Sequence, residues 1–172
     1  MITSQAAEEI SAWFTGRLPK DWTAVDPVIT VDREEIVLLV TIDAVELPGS
    51  ASESATQEAA DGRVARWRED TREARIEIAA EAERRFRRKV SWGATIGGRT
   101  TMFTHLAVPA MTRLRQPQRQ VLDTLVDAGV ARSRSDALAW CVRLVGRHSA
   151  DWLAELTEAM GKVRAVREQG PG

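Results

Sequence analysis

Cysteine is almost missing from this chain. Cys141 stands alone, so no disulfide can form within it, and a reducing, cytoplasmic setting is expected. Histidine is nearly as scarce: His105 and His148 lie far apart, without cysteine or acidic partners at metal-ligand spacing, which argues against a zinc site. No apolar run is long enough to span a bilayer; the best stretch, EEIVLLVTIDAV, is strand-sized and interrupted by Asp43. The opening MITSQAAEEISAW is acidic and polar and is not expected to be a secretory signal. Gly97-Gly98 lacks the further glycines and the lysine that a phosphate-cradling loop needs. No nucleophile has a neighbouring histidine, and no acid and base are paired. Catalytic residues, cofactors and metal ligands are therefore not assigned, and enzyme activity is not expected.

The most telling absence is one of charge. From Arg84 to Leu122, thirty-nine consecutive positions hold nine basic residues and no acidic one. The whole chain has a formal net charge of −1, so this stripe is local. Residues 1–60 carry 11 acidic and 3 basic side chains, whereas residues 61–110 and 111–172 are both net basic. Such asymmetry implies two surfaces with different tasks. The acidic part either docks a basic protein partner or keeps the chain in solution.

What is present is the composition of a globular protein: 44% apolar and 28% charged over 172 residues, enough for one domain or two small ones. Residues 4–16 read as an amphipathic helix capped by Ser4, with Ile10, Trp13 and Phe14 at helical spacing, stopped by Pro19. PVITV and EEIVLLVTIDAV read as two strands around an Asp32-Arg33 turn. GSASESATQEAADG, small and polar, reads as a loop or linker. One long helix is expected from Gly62 to Arg88, with Val64, Trp67, Thr71, Ala74, Ile78, Ala82 and Phe86 as its apolar stripe. Strand-like sequence then flanks a tight turn at Gly97-Gly98. The expected architecture of residues 1–105 is a small α+β unit, a helix with an antiparallel sheet.

Residues 106–172 are expected to form the second unit. A helix over Pro117–Ala128 ends at Gly129. Another opens at Ser133, whose spacing to Asp136 is that of a capping box, and runs to about Gly146. A third starts near Asp151, with Trp152, Leu153, Leu156, Met160 and Val163 on one face.

From Thr112 to Val145, the text TRLRQPQRQVLDTLVDAGVARSRSDALAWCVRLV resembles the ribbon-helix-helix (CopG/Arc/MetJ-like) family of DNA-binding proteins. Arg113-Leu114 matches the strand end, Leu122 and Leu125 the first helix's core leucines, Gly129 the turn, and Ser133-Arg134-Ser135-Asp136-Ala137 the start of the second helix. The resemblance implies a cytoplasmic homodimer that regulates transcription by placing a two-stranded ribbon in the major groove of duplex DNA. Ala110, Thr112 and Leu114 would face the core, and Pro109, Met111 and Arg113 the bases. Arg113 is the implied guanine reader; Pro109 and Met111 have no side-chain hydrogen-bonding groups for base edges. Ser133, Arg134 and Ser135 are the implied phosphate anchors at a helix N-terminus, and Arg115, Arg119 and Arg132 add sequence-independent attraction.

Other readings stay open. The run RRFRRK, Arg84–Lys89, is either a nucleic-acid contact or a solvated helix end favoured by the macrodipole. Trp92, Trp140 and Cys141 read as core. A protein-interaction or dimerisation module without DNA binding is the first alternative. RNA binding by the α+β unit is the second, although the aromatic pair of RNA-binding sheets is absent.

Overall fold

The computed structural model describes residues 4–22 and 24–169, and the side chains within them other than those of Ser4, Arg164 and Glu168, so the expected Ser4 cap lies outside what is described. The protein is α+β, and it divides into two compact units, Met1–Pro109 and Ala110–Gly172. In chain order the elements are α1 (Ser4–Arg17), a 3-10 turn (Lys20–Trp22), β1 (Val28–Val31), β2 (Glu35–Thr41), α2 (Glu53–Asp70), α3 (Arg72–Phe86), β3 (Lys89–Ile96) and β4 (Arg99–Met102). The second unit then contributes α4 (Gln116–Asp127), α5 (Arg134–His148) and α6 (Ala150–Gln169).

The first unit is a four-stranded sheet in the order β1-β2-β3-β4. Asp32 turns the first hairpin: its carboxylate accepts from the backbone N–H of Glu34 (2.9 Å) and Glu35 (2.7 Å), the local bonding that makes aspartate a turn residue. The expectation of an antiparallel sheet is corrected at its centre. β1–β2 and β3–β4 are antiparallel, but β2 and β3 run parallel, from Glu35 opposite Lys89 to Thr41 opposite Thr95. The reason is the connection. Two helices separate the strands, and a crossover of that kind returns the chain to the starting end of the sheet. The β3–β4 hairpin closes through Gly97 and Gly98, both at positive φ (56° and 80°), the conformation a two-residue hairpin turn demands.

Alternation along β2 buries Ile36, Leu38 and Val40 on one face, continued across β3 by Val90, Trp92, Ala94 and Ile96. Onto that face pack Ile10 and Phe14 of α1, Val64 and Trp67 of α2, and Ile78 and Ala82 of α3. Complete burial of Phe14, Ile36 or Leu38 contributes about 1.5–3 kcal/mol each. Edge-to-face rings bind the layer together: Trp22 meets Trp67 at 5.6 Å and Trp92 at 6.0 Å, and Phe14 meets Trp92 at 6.5 Å.

Two helices stand where the sequence suggests one, and the first begins earlier. α2 starts at Glu53, inside the stretch expected to be a loop, because Ser52 caps it by accepting from Ala55 N–H (3.1 Å). Its exposed first turns carry no apolar stripe, which removes the periodic signal. The helical run is interrupted at Thr71, whose hydroxyl donates back to the Trp67 carbonyl (2.7 Å). Arg75 then donates to the Arg68 carbonyl (2.6 Å) and to the Thr71 hydroxyl (3.0 Å), satisfying groups exposed by the break.

In the second unit α4 ends in a Schellman motif: Gly129 at φ 73° donates to the Val126 carbonyl, and Val130 donates to that of Leu125. Leu122, Ala131 and Ala137 form its buried cluster, with Leu114, Leu125, Val126, Leu138 and Cys141 packed partly buried around them. Trp140 and Cys141, expected in the core, are half-buried. α6 follows directly, and every side chain described on it is exposed.

Candidate nucleic-acid interface

Residues 104–115, which should contain the ribbon strand, form no strand. A two-stranded ribbon takes its ladder from a second strand, and within the described chain none pairs with this segment. The segment is nevertheless anchored. Leu114 packs on the Leu122–Ala131–Ala137 cluster, while Arg113 and Arg115 on either side of it are exposed. Met111 is almost wholly exposed, at 98%.

Arg115 occupies the N-cap of α4 in extended conformation, and its N–H donates to the Gln118 side chain (2.8 Å). Arg119, one turn in, bends back so that its guanidinium donates to the Leu114 carbonyl (2.8 Å). This leaves Arg119 tying the entering chain to the helix. Among the described residues, no carboxylate lies within ion-pair distance of Arg113, Arg115 or Arg132.

Before α5, Ser133 caps the helix: its hydroxyl accepts from Asp136 N–H (3.2 Å). Asp136 answers one residue earlier than a capping box requires, since its carboxylate accepts from the N–H of Arg132 (3.0 Å). Ser135 is exposed on the first turn. Arg134, the next of the implied anchors, makes an ion pair within the chain. Its Nε and Nη2 grip Asp123 of α4 at 2.6 and 2.7 Å, a two-pronged pair. That bonding holds the Asp123 carboxyl below the ordinary aspartate range and raises Arg134 in turn. Through Nε and Nη2 Arg134 joins α4 to α5, while its side chain stays 59% exposed.

Of the eight residues named from sequence, Met111, Arg113, Arg115, Arg132 and Ser135 present open side chains, whereas Arg119, Ser133 and Arg134 are committed to internal bonds. Sequence reasoning missed Asp123, whose role appears only once α4 and α5 are side by side. It also missed Arg33, which the fold brings to the basic run of the first unit. Among the described residues no group of three or more His, Cys, Asp or Glu side chains could hold a metal ion.

Comparison with known proteins gives relatives along nearly the whole chain. A family model described as Rv1265-like protein, N-terminal domain, matches residues 8–102, and one described as Mb1296 C-terminal domain matches residues 115–167. The chain is 57% identical over 165 residues to the uncharacterized protein Mb1296 of Mycobacterium bovis and to the uncharacterized protein Rv1265 of Mycobacterium tuberculosis. That alignment covers 96% of this chain and 71% of each relative. No solved structure matches the chain.

Proposed function

The chain belongs to the Rv1265-like family, and we propose that it acts there as a dimeric, ribbon-helix-helix-like DNA-binding regulator. The observation that carries this reading is the meagre core of the second unit. Three side chains are fully buried in it, two of them alanines, while Val121, Val130, Val142 and Val145 stand 47–66% exposed. A unit of this size rarely folds stably on so little apolar burial. A second copy would cover the α4–α5 surface, and pairing of the two 109–115 segments would supply the missing ladder. Arg113 and Arg115, open on either side of the anchored Leu114, would then face the groove, and the two first turns of α5 would face phosphates. No helix among the described residues is long and apolar enough to cross a membrane, and a cytoplasmic location is part of the same proposal.

Gel-shift titration of the full chain with duplex DNA at several salt concentrations tests the reading. Arg113→Ala with Arg115→Ala is expected to weaken binding and flatten its salt dependence. Unchanged affinity in that variant would sink the proposed face.

A protein-interaction role is the second reading. It draws on α6, where Trp152, Leu153, Leu156, Met160 and Val163 are 39–57% exposed. An exposed apolar stripe of that kind marks an association surface. Stoichiometric protein capture without DNA retention at low salt would favour it.

A further inference from the structure

The basic run at the end of α3 is not used by the proposed C-terminal face, and the fold adds to it. Arg33, on the turn between β1 and β2, lines one recess of about 450 Å³ together with Arg87, Arg88 and Lys89 from the α3–β3 junction. More than fifty residues of sequence separate the two groups, and the parallel pairing of β2 with β3 brings them together. The junction is fixed: Arg88 Nε donates to the Asp32 carbonyl (2.7 Å), and Lys89 N–H donates to the Glu34 carbonyl (2.9 Å).

The carboxylates nearby do not cancel this charge. The recess is lined by four cations against two carboxylates, Glu34 and Glu83. Glu83 pairs with Lys89 at 2.7 Å, leaving Glu34 against several arginines. Among the described residues, no carboxylate lies within ion-pair distance of Arg33, Arg84, Arg85 or Arg87. A second recess with cations, about 220 Å³, balances Lys20 and Arg63 with Asp21 and Asp43.

Helix-end electrostatics accounts for Arg84 and Arg85 in the last turn. It accounts for neither Arg33, which is on another element, nor Arg87. Arg87 caps α3 at φ 57°, ψ 37°, a left-handed position that glycine fills without cost and an arginine does not. Among the described residues it is the one non-glycine at positive φ. Backbone strain at a side chain that makes no ion pair points to use of that side chain.

We infer that Arg33 and Arg87 form a second phosphodiester-backbone contact, on the first unit, separate from the Arg113–Arg115 face. The ligand class rests on the duplex-DNA reading above; the residues do not. The contact is sequence-independent, because a guanidinium paired with a phosphate oxygen carries no sequence information.

The test is binding of the full chain to a mixed-sequence DNA duplex across a salt series. The variant is Arg33→Gln with Arg87→Gly, the second change relieving the left-handed position, so its unfolding midpoint should be no lower than that of the wild type. Each lost phosphate contact lowers the slope of log affinity against log salt by about 0.9. The double variant should therefore lose about two from that slope, and the wild-type advantage should shrink roughly tenfold between 50 and 200 mM salt. An unchanged slope overturns this inference and leaves the C-terminal reading standing. A reduced slope here, with Arg113→Ala/Arg115→Ala binding as tightly as wild type, supports this contact and overturns the other. Absence of wild-type duplex binding at 50 mM salt overturns both.

Discussion

Arg75 is a cation in the interior, and among the described residues no carboxylate lies within ion-pair distance of it. It is buried to 7% exposure, and its guanidinium lies over the rings of Phe103 (5.1 Å), Trp67 (5.6 Å) and Trp92 (5.9 Å). Burial lowers its affinity for the proton, and Arg68 and Arg72 push in the same direction. Three ring faces and two oxygen acceptors offset that cost. Arg75→Lys cannot reach both the Thr71 hydroxyl and the Arg68 carbonyl from one flexible amine. We expect it to destabilise the first unit by about 2–3 kcal/mol, measured by denaturant unfolding followed through tryptophan emission. Gly93 is constrained differently. A Cβ there would stand 2.7 Å from Leu39 Cδ2 and 2.9 Å from both Met102 Sδ and the Thr101 carbonyl oxygen. Because one of those neighbours is backbone, Gly93→Ala should cost about 1–3 kcal/mol, read as a lowered unfolding midpoint. The Asp123–Arg134 pair makes a pH prediction. A carboxyl held below its ordinary range in the folded state contributes stability that is complete above that range and disappears as acid protonates it. Asp123→Asn should therefore flatten the acid limb of the second unit's stability profile, and leave the slope at neutral pH unchanged. Of these residues, Trp92 was legible in sequence as a core aromatic. Arg75 was not, because its partners are rings and carbonyls and it sits among many arginines on a charged helix.

At the scale of elements, legibility follows the presence of a repeating apolar face or a local bonding rule. α1, both hairpin turns, the Gly129 helix end and the Ser133 cap obey such rules, and each stands where residue chemistry puts it. Ser133→Ala removes the bond to Asp136 N–H and should cost about 1 kcal/mol, with helix loss detected by circular dichroism. The first turns of α2 were hidden because residues 53–56 are all exposed and carry no apolar stripe, so only Ser52 announced them. Strand direction was hidden too. β2 and β3 are equally apolar in either sense, and direction was decided by the helices between them acting as a crossover. The 109–115 segment failed as a strand for a different reason: a ladder belongs to two chains or two segments, and sequence alone does not state which.

For the whole molecule the open question is association. The second unit leaves large apolar side chains exposed on α4, α5 and α6, against three buried in its cluster. Val142→Glu with Val145→Glu should shift the full chain from dimer to monomer in sedimentation velocity, and should weaken duplex binding with it, since the proposed ribbon needs both copies. A monomeric wild type at micromolar concentration would remove the basis of the dimeric reading. The first unit, by contrast, has a sheet, helices and an aromatic layer of its own. Its parallel pairing of β2 with β3 has a consequence for how the protein is made. During synthesis the β1–β2 hairpin emerges first, yet its inner edge acquires a partner only after α2, α3 and β3 have left the ribosome. Until then that edge is an unpaired, strongly apolar template for other nascent chains. Crowded or rapid translation should therefore favour aggregates that begin at Glu35–Thr41, although the finished fold conceals this strand between two neighbours.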